Sequence, residues 1–210
     1  MRPRDRGGKP GVSDVFAAAL WAADYSLLLA SNNYSGINLH GGTGKSVANS
    51  VGGSLPGDAL LAEQGQTPEQ IATHPHPFYT PVATFGSEYT LEPVAYGLKF
   101  AGSLCGGTLL KTDLTAKLQE SGVDVSGYTA KMPNGEISVI ILNKDADRDL
   151  DLIVNFGKVK AAAVTIETLH APALESREAH ITPAADGKLH EGTYHVTVPK
   201  VSGMRITTKG

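Results

Sequence analysis

The sequence has little of what marks a disulfide-bonded, nucleic-acid-binding or membrane-spanning protein. It contains one cysteine, Cys105, so no disulfide can form within the chain, and its small and apolar neighbours predict a buried side chain. No long run of Lys and Arg follows the first ten residues, and the net charge is −3, so we expect no nucleic-acid partner. The most apolar segment, residues 15–30, contains Asp24 and is shorter than the roughly 20 residues that cross a bilayer. It predicts a buried helix and no membrane partner.

The N-terminal residues 1–10 are polar and lack the apolar core of a signal peptide, so the sequence alone assigns no localisation. What the chain does contain is an ordinary globular balance, with 41% hydrophobic and 19% charged residues. Its 210 residues suffice for one large domain or two small ones.

The first half of the chain alternates helical and irregular patterns. Alanine and leucine fill a predicted helix that starts after Ser13 or Asp14 as N-cap and ends at Asn32-Asn33. A short apolar run that stops at paired glycines predicts a strand over residues 36–39. A loop rich in Gly, Ser and Pro then spans residues 43–77, and helical spacing returns from Glu92 to Leu104.

The second half has the pattern of short strands. Five runs are rich in β-branched residues and partly alternate: 136–143, 149–156, 162–169, 193–199 and 203–209. Pro133-Asn134-Gly135 and Asp186-Gly187 are turn signals between such runs. At least seven short strands in about 100 residues are typical of an antiparallel β-sandwich. We therefore predict a domain boundary near residue 107, with one domain over 1–107 and a second over 108–210.

The stretch HGGTGKS, residues 40–46, resembles a phosphate-binding loop. That loop needs a glycine five positions before Gly44, where this chain has Leu39, and a helix directly after the lysine and serine. Glycines and a proline follow Ser46 instead, so nucleotide binding is rejected. We interpret the stretch as a loop at a strand end, with His40 at the C-terminal end of the predicted strand.

Two other patterns resemble metal sites but lack the residues that metals require. Asp145, Asp147 and Asp149 match the start of a calcium loop, yet Leu150 occupies the position of its glycine and Phe156 that of its glutamate. A turn between two strands is the better interpretation. His74 and His76 stand two residues apart in a proline-broken loop without further ligands. The sequence predicts neither a metal nor a cofactor.

Three segments taken together resemble glycoside hydrolase family 79, which contains bacterial β-glucuronidases and heparanases. They are GGKPGVSDVFAAALWAADYSLLLASNNYSGINLHGG, FYTPV and EPVAYGLKFA, and the resemblance covers most of residues 7–104. It implies a retaining hydrolase built as a (β/α)8 TIM barrel followed by an antiparallel β-sandwich. This chain would contribute the last β/α units of the barrel and the sandwich.

The resemblance also shows what the chain lacks. Retaining hydrolysis uses two carboxyl groups about 5 Å apart, one as nucleophile and one as acid/base. The family places the acid/base in an Asn-Glu pair, and this chain has no Asn-Glu dipeptide. The nucleophile would fall at or just before Met1. Glu167-Thr168 copies the family's nucleophile motif but lies in a strand pattern, so we interpret it as coincidence. We expect the chain alone to be inactive and an upstream polypeptide to complete the barrel.

Part of the family's pocket for a uronic-acid glycan is present by position. Backbone amides at the glycine pair and a tyrosine beyond the eighth strand hold the substrate carboxylate in relatives. The resemblance assigns these roles to Gly7, Gly8 and Tyr79, and His40 is a fourth candidate at the rim. Amides in a glycine turn form an anion-binding concavity. The alternative function is a non-catalytic module whose sandwich binds carbohydrate or protein, although residues 108–210 hold only three aromatic side chains, Tyr128, Phe156 and Tyr194.

Overall fold

The computed structural model describes residues 8–9, 11–39, 78–85, 88–114 and 122–209. This part of the chain holds two helices and ten strands. The helices are α1 (Phe16–Ser31) and α2 (Pro93–Gly102). The strands are β1 (Val82–Phe85), β2 (Glu88–Leu91), β3 (Thr108–Leu110), β4 (Val125–Lys131), β5 (Ile137–Asn143), β6 (Leu150–Asn155), β7 (Ala163–His170), β8 (His180–Lys188), β9 (Thr193–Val198) and β10 (Ser202–Thr208).

Every strand pairing in the described part is antiparallel. Six strands form the main sheet in the order β3-β4-β5-β10-β7-β8, while β6 pairs with β9 as a separate two-stranded ribbon. Strands β1 and β2 pair with each other ahead of α2. Strand β10, the last described strand in sequence, lies between β5 and β7 and is hydrogen-bonded to both. The C-terminal strand is therefore a central strand of the main sheet.

Strand β5 explains why one sequence run is apolar almost throughout. Successive side chains of a strand point to opposite faces. Ile140 and Leu142 pack into a cluster with the helices on one face, whereas Val139 and Ile141 pack against the ribbon on the other. Because both faces of β5 are covered, neither set of positions is free to be polar.

The two helices pack on one face of the main sheet. Phe16 and Leu20 of α1 and Phe100 of α2 join Ile140 and Leu142 in a shared buried cluster. The helices approach each other at Gly97, where an added Cβ would lie 2.0 Å from the carbonyl oxygen of Ala19. None of the described helices is long and apolar enough to span a membrane.

The ribbon covers the other face through a second buried cluster. Leu150 of β6 and Val198 of β9 pack against Val164, Ile166 and Ile206 of the main sheet. Asn143, fully buried at the end of β5, ties the ribbon to the sheet because its side-chain amide donates to the carbonyls of Arg148, Val198 and Pro199 at 2.9, 3.2 and 3.2 Å.

Most element predictions from the sequence are confirmed. All five strand runs form strands, the helices occupy their expected segments, and Asn32 is the C-cap of α1, followed by Asn33 at φ 62°. Pro133-Asn134-Gly135 makes the turn between β4 and β5. The sequence missed the β1–β2 hairpin and strands β3, β4 and β8.

The acidic run between β5 and β6 is a turn, as predicted. The Asp145 carboxylate accepts the backbone amides of Asp147 and Arg148 at 2.9 Å and pairs with the Arg148 guanidinium at 2.7 Å. The hydrogen bond from Arg148 is the main reason that the pKa of Asp145 lies below its ordinary value. Glu167 lies in β7, where it pairs with Arg205 of β10 at 2.6 Å, so its strand placement is also confirmed.

Four local predictions are wrong, one of which, the N-cap of α1, is described below with the site. Residues 36–39 form no strand, because they pair with no strand in the described part of the chain. Asp186-Gly187 lies inside β8 rather than in a turn. Gly187 is needed there for close packing, since an added Cβ would lie 2.2 Å from the ring of Tyr194. Cys105 is exposed, because the adjacent Leu104 takes the buried position of the turn after α2.

A polar network joins α1 to the main sheet. The Asp24 carboxylate accepts hydrogen bonds from Lys144 and from the Tyr128 hydroxyl, each at 2.6 Å, and Lys144 also contacts Asp124 at 3.0 Å. Burial alone would raise the pKa of Asp24, but the hydrogen bonds from Lys144 and Tyr128 outweigh it and the pKa lies below its ordinary value. The same burial and the bond to Asp24 raise the pKa of Tyr128.

Replacing Asp24 by asparagine is expected to lower the free energy of unfolding by about 2 kcal/mol at pH 7, because it removes charge-assisted hydrogen bonds. A carboxyl group whose pKa is lowered by folding stabilises the protein above its ordinary pKa of about 4 and loses that contribution as pH falls through the lowered value. The difference from the unchanged chain in urea titrations should therefore shrink as the pH falls below about 4. Asp113→Asn, which breaks only the exposed pair with Lys111, should stay within about 0.5 kcal/mol at both pH values.

Candidate functional site

Two of the four residues that the sequence singled out lie together in the structure. Gly8 and Tyr79 are in contact at the end of the molecule where α1 begins. Gly7 and His40 lie outside the described residues, as do the HGGTGKS stretch and the pair His74 and His76.

Gly8 has a backbone conformation that favours glycine. Its φ is +85°, and a Cβ at this position would lie 2.9 Å from both Ser13 Cβ and Tyr79 Cδ1. Tyr79 is half-buried, and its side chain packs against Ala18, Ala22 and Val94. The missing side chain of Gly8 therefore makes room for the ring of Tyr79.

A short hydrogen-bonded turn holds Gly8 in place. The Ser13 amide donates to the carbonyl of Lys9 at 2.8 Å, and the Lys9 amide donates to Ser13 Oγ at 3.0 Å. The amide of Gly11 donates to Asp14 Oδ1 at 2.6 Å. Ser13 and Asp14 therefore serve the turn and do not cap the helix.

The start of α1 corrects the predicted N-cap. The helix is preceded by Val15, which makes no side-chain capping bond. Its first amides are satisfied from another part of the chain: Phe16 donates to the carbonyl of Ser176 at 2.7 Å and Ala17 to that of Leu174 at 3.0 Å. The loop between β7 and β8 thus replaces a local cap.

Three charged side chains to which the sequence assigned no role in a site, Asp14, Glu92 and Arg177, lie at the same end. Arg177, in the β7–β8 loop, pairs with the buried carboxylate of Asp14 at 2.6 Å. Burial raises the pKa of Glu92, the residue before α2, and the charge of Asp14 adds to this while that of Arg177 opposes it. No sequence signal connects Asp14 with Arg177, because they are 163 residues apart.

The groups at this end of the molecule are largely engaged with one another. The amides of Lys9, Gly11 and Ser13 donate within the turn. Arg177, whose side chain is 67% exposed, pairs with Asp14, and both oxygens of Asp14 are engaged, by Arg177 and by Gly11. Burial raises the pKa of Tyr79, so its phenol stays protonated at neutral pH.

Replacing Gly8 by alanine is expected to open the turn, because the new Cβ meets Ser13 and Tyr79 at 2.9 Å in addition to the strain of a positive φ. Gly11 also has a positive φ, +70°, but an added Cβ there meets nothing within 4 Å. Gly11→Ala therefore measures the conformational strain alone. Amide exchange at Ser13 should accelerate about 30-fold in Gly8→Ala and about 5-fold in Gly11→Ala. Equal acceleration in both variants would contradict the close contact.

No group of three or more His, Cys, Asp and Glu side chains in the described ranges is arranged to hold a metal ion. The candidate site thus consists of the turn at Gly8, the side chain of Tyr79 and the ion pair of Asp14 with Arg177.

Comparison with solved structures places the fold among those of glycoside hydrolases whose catalytic domain is a TIM barrel. An arabinofuranosidase aligns over 64% of this chain with a TM-score of 0.56 and 14% identity. The GH51 α-L-arabinofuranosidase of Thermotoga petrophila RKU-1 aligns over 63% of this chain with a TM-score of 0.50 and 12% identity. An α-L-arabinofuranosidase of Thermotoga maritima, in an arabinose complex, aligns over 63% of this chain with a TM-score of 0.50 and 13% identity.

These alignments cover 32% of each of the three enzymes, so this chain spans about a third of their length. No protein-family model matches the chain, and no curated protein matches it. At such low identity the likeness concerns the fold, and the substrate is a separate question.

Proposed function

We propose that this chain is the C-terminal portion of a retaining β-glucuronidase- or heparanase-like glycoside hydrolase of the family 79 type. Residues 1–107 would contribute the last β/α units of the TIM barrel and residues 108–210 its β-sandwich. The observation that carries the proposal is the contact between Gly8 and Tyr79, since the resemblance assigns both residues to one carboxylate pocket. The glycoside-hydrolase fold of the structural neighbours supports the same assignment at the level of fold.

The proposed ligand of this pocket is the carboxylate of a uronic-acid-containing glycan. The amide of Gly8 would donate to it, and Tyr79 and the cation of Arg177 lie at the same end of the molecule. Charge-assisted hydrogen bonds to a carboxylate are about twice as strong as neutral ones, so a neutral sugar should bind more weakly.

The chain by itself is proposed to be inactive. Retaining hydrolysis needs a nucleophilic carboxylate and a second carboxyl group about 5 Å away. We assign Asp14 a structural role, because Arg177 and the Gly11 amide hold its carboxylate in the turn before α1. Both catalytic glutamates would come from an upstream polypeptide that completes the barrel.

Binding is tested by following the amide of Gly8 and the ring of Tyr79 by NMR during titration with glucuronate, with glucose as the neutral control. Glucuronate should shift both signals, and glucose should leave them in place. Arg177→Gln should weaken the glucuronate response. Equal responses to the two sugars, or shifts confined to other regions, would contradict the pocket.

Catalysis is tested with p-nitrophenyl β-D-glucuronide. The purified chain should release no nitrophenol, and hydrolysis should appear when a polypeptide carrying the two glutamates is co-expressed. Hydrolysis by the chain alone with retention at the anomeric carbon would refute the assignment of both catalytic groups to another segment.

The alternative, a carbohydrate-binding module, gains no support from the aromatic residues of the second half. Tyr128 is bound to Asp24, and Phe156 and Tyr194 pack against the cluster under the ribbon. All three side chains are partly buried, so none is a fully exposed ring.

A further inference from the structure

Two histidines face each other where strands β7 and β8 meet the loop that joins them. His170 is the last residue of β7, His180 is the first of β8, and the two are partners in the strand register. Their ring centroids lie 5.6 Å apart, and both side chains reach the surface. Neither residue belongs to the candidate site. We call these two residues the histidine pair.

The spacing of the two rings suits one metal ion between them. An imidazole nitrogen binds zinc at about 2.0–2.1 Å, so two imidazoles on one tetrahedral ion have their ring centres roughly 5 Å apart. The rings of the histidine pair are 5.6 Å apart. Because both side chains reach solvent, a small rotation of either ring closes the difference.

Each imidazole also has an oxygen partner on one of its two ring nitrogens. His170 Nε2 lies 3.0 Å from Thr182 Oγ1, and His180 Nε2 lies 3.7 Å from the carboxylate of Glu178. A histidine that binds a metal gives the N–H of its other ring nitrogen to such an oxygen, which orients the ring. With the proton on Nε2 of both rings, Nδ1 of each ring carries the lone pair that a metal needs.

We propose that the histidine pair binds one divalent transition-metal ion through Nδ1 of each ring, with water completing its coordination, and that the ion clamps the base of the β7–β8 loop. Imidazole suits zinc, copper and nickel, whereas magnesium prefers oxygen ligands. The pair supplies two ligands where a structural zinc site supplies four, so the dissociation constant is expected to be on the order of micromolar.

The clamp acts on the loop that holds the start of α1. Residues 171–179 connect the two histidines and include Ser176, whose carbonyl accepts the Phe16 amide at 2.7 Å, and Arg177, which pairs with Asp14. An ion that binds only while the two strand ends are together disfavours opening of this loop by the factor 1 + [metal]/Kd. Hydrogen exchange of the Phe16 amide should therefore slow about 10-fold at a zinc concentration about ten times the dissociation constant.

Zinc binding is measured by NMR titration of the imidazole signals of the histidine pair with ZnCl2. MgCl2 should leave these signals in place. The chain has seven histidines, so the affinity is read at the pair itself. His180→Gln should raise the dissociation constant read at His170 at least about 10-fold, because it removes one of the two ligands. The matched control is His195→Gln, an exposed histidine on β9, which should change neither this affinity nor the exchange of Phe16.

Imidazole signals of the pair that stay in place up to about 1 mM zinc, or that respond equally to magnesium, would overturn the proposal. An affinity unchanged by His180→Gln, or lowered as much by His195→Gln, would overturn it as well. Zinc binding at the pair without slower exchange of Phe16 would refute the clamp. The inference does not rest on the proposed function, since no sugar or second polypeptide enters the measurement.

Discussion

Replacing Gly97 by alanine is expected to lower the free energy of unfolding by about 3 kcal/mol or more. A Cβ at this position would lie 2.0 Å from the carbonyl oxygen of Ala19 and 2.8 Å from its carbonyl carbon. Both atoms belong to the backbone of α1, so no side chain can rotate away and the two helices must separate. Because α1 and α2 share one buried cluster with β5, their separation loosens the whole helical face of the sheet.

The control for this substitution lies in the same helix. Gly102 is the last residue of α2, and an added Cβ there meets nothing within 4 Å. Gly102→Ala should leave stability unchanged or raise it by up to about 1 kcal/mol through the better helix propensity of alanine. Urea unfolding of the two variants measures the difference. Similar stabilities would mean that α1 and α2 are not as close as the structure has them.

Replacing Asn143 by alanine is the second substitution with a large expected effect, about 3 kcal/mol or more. The side chain is fully buried and its amide serves three carbonyls, those of Arg148, Val198 and Pro199. Its oxygen also accepts the amide of Asp145 at 3.1 Å. Alanine leaves these buried groups without a partner and creates a cavity where the ribbon meets the sheet.

Asn134 provides the matched comparison, because it is exposed and its oxygen accepts one hydrogen bond, from the amide of Glu136 at 3.1 Å. Asn134→Ala should cost less than about 1 kcal/mol, since water replaces the lost group. If Asn143→Ala proved equally mild in urea unfolding, the ribbon would not depend on this side chain for its attachment.

Several strands and the end of α1 could be predicted from the sequence, because they depend on interactions between residues close together in the chain. The β-branched runs that became β5, β7, β9 and β10 alternate or stay apolar over a strand's length. The pair Asn32-Asn33 ends α1 as expected, since asparagine tolerates the positive φ that Asn33 adopts. Both the hydrophobic pattern of a strand and the φ preference of a residue at a helix end involve only a few neighbouring residues, so the sequence shows them directly.

The same reasoning failed where a distant segment changed a residue's surroundings. The pair Asp186-Gly187 predicts a turn, but the missing side chain of Gly187 makes room for Tyr194 inside a strand. The sequence predicts Ser13 or Asp14 as N-cap, but the carbonyls of Leu174 and Ser176 accept the first amides of α1 instead. In each case, a contact between distant residues took the place of a local preference.

The candidate site also combines features that the sequence indicated with features that only the folded structure shows. The resemblance in sequence pointed separately to Gly8 and Tyr79, which are 71 positions apart, but only the folded chain brings the tyrosine ring against the glycine. The pair of Asp14 with Arg177 had no sequence signal at all.

The sequence by itself therefore determined the elements, two helices and a set of short strands, and the absence of an Asn-Glu pair. The tertiary structure decided the order of the strands, with β10 between β5 and β7, and the exposure of Cys105. The physical reason is that hydrophobic periodicity shows which face of an element prefers burial, but not which other element covers it. That choice depends on how all the faces of the chain fit together at once.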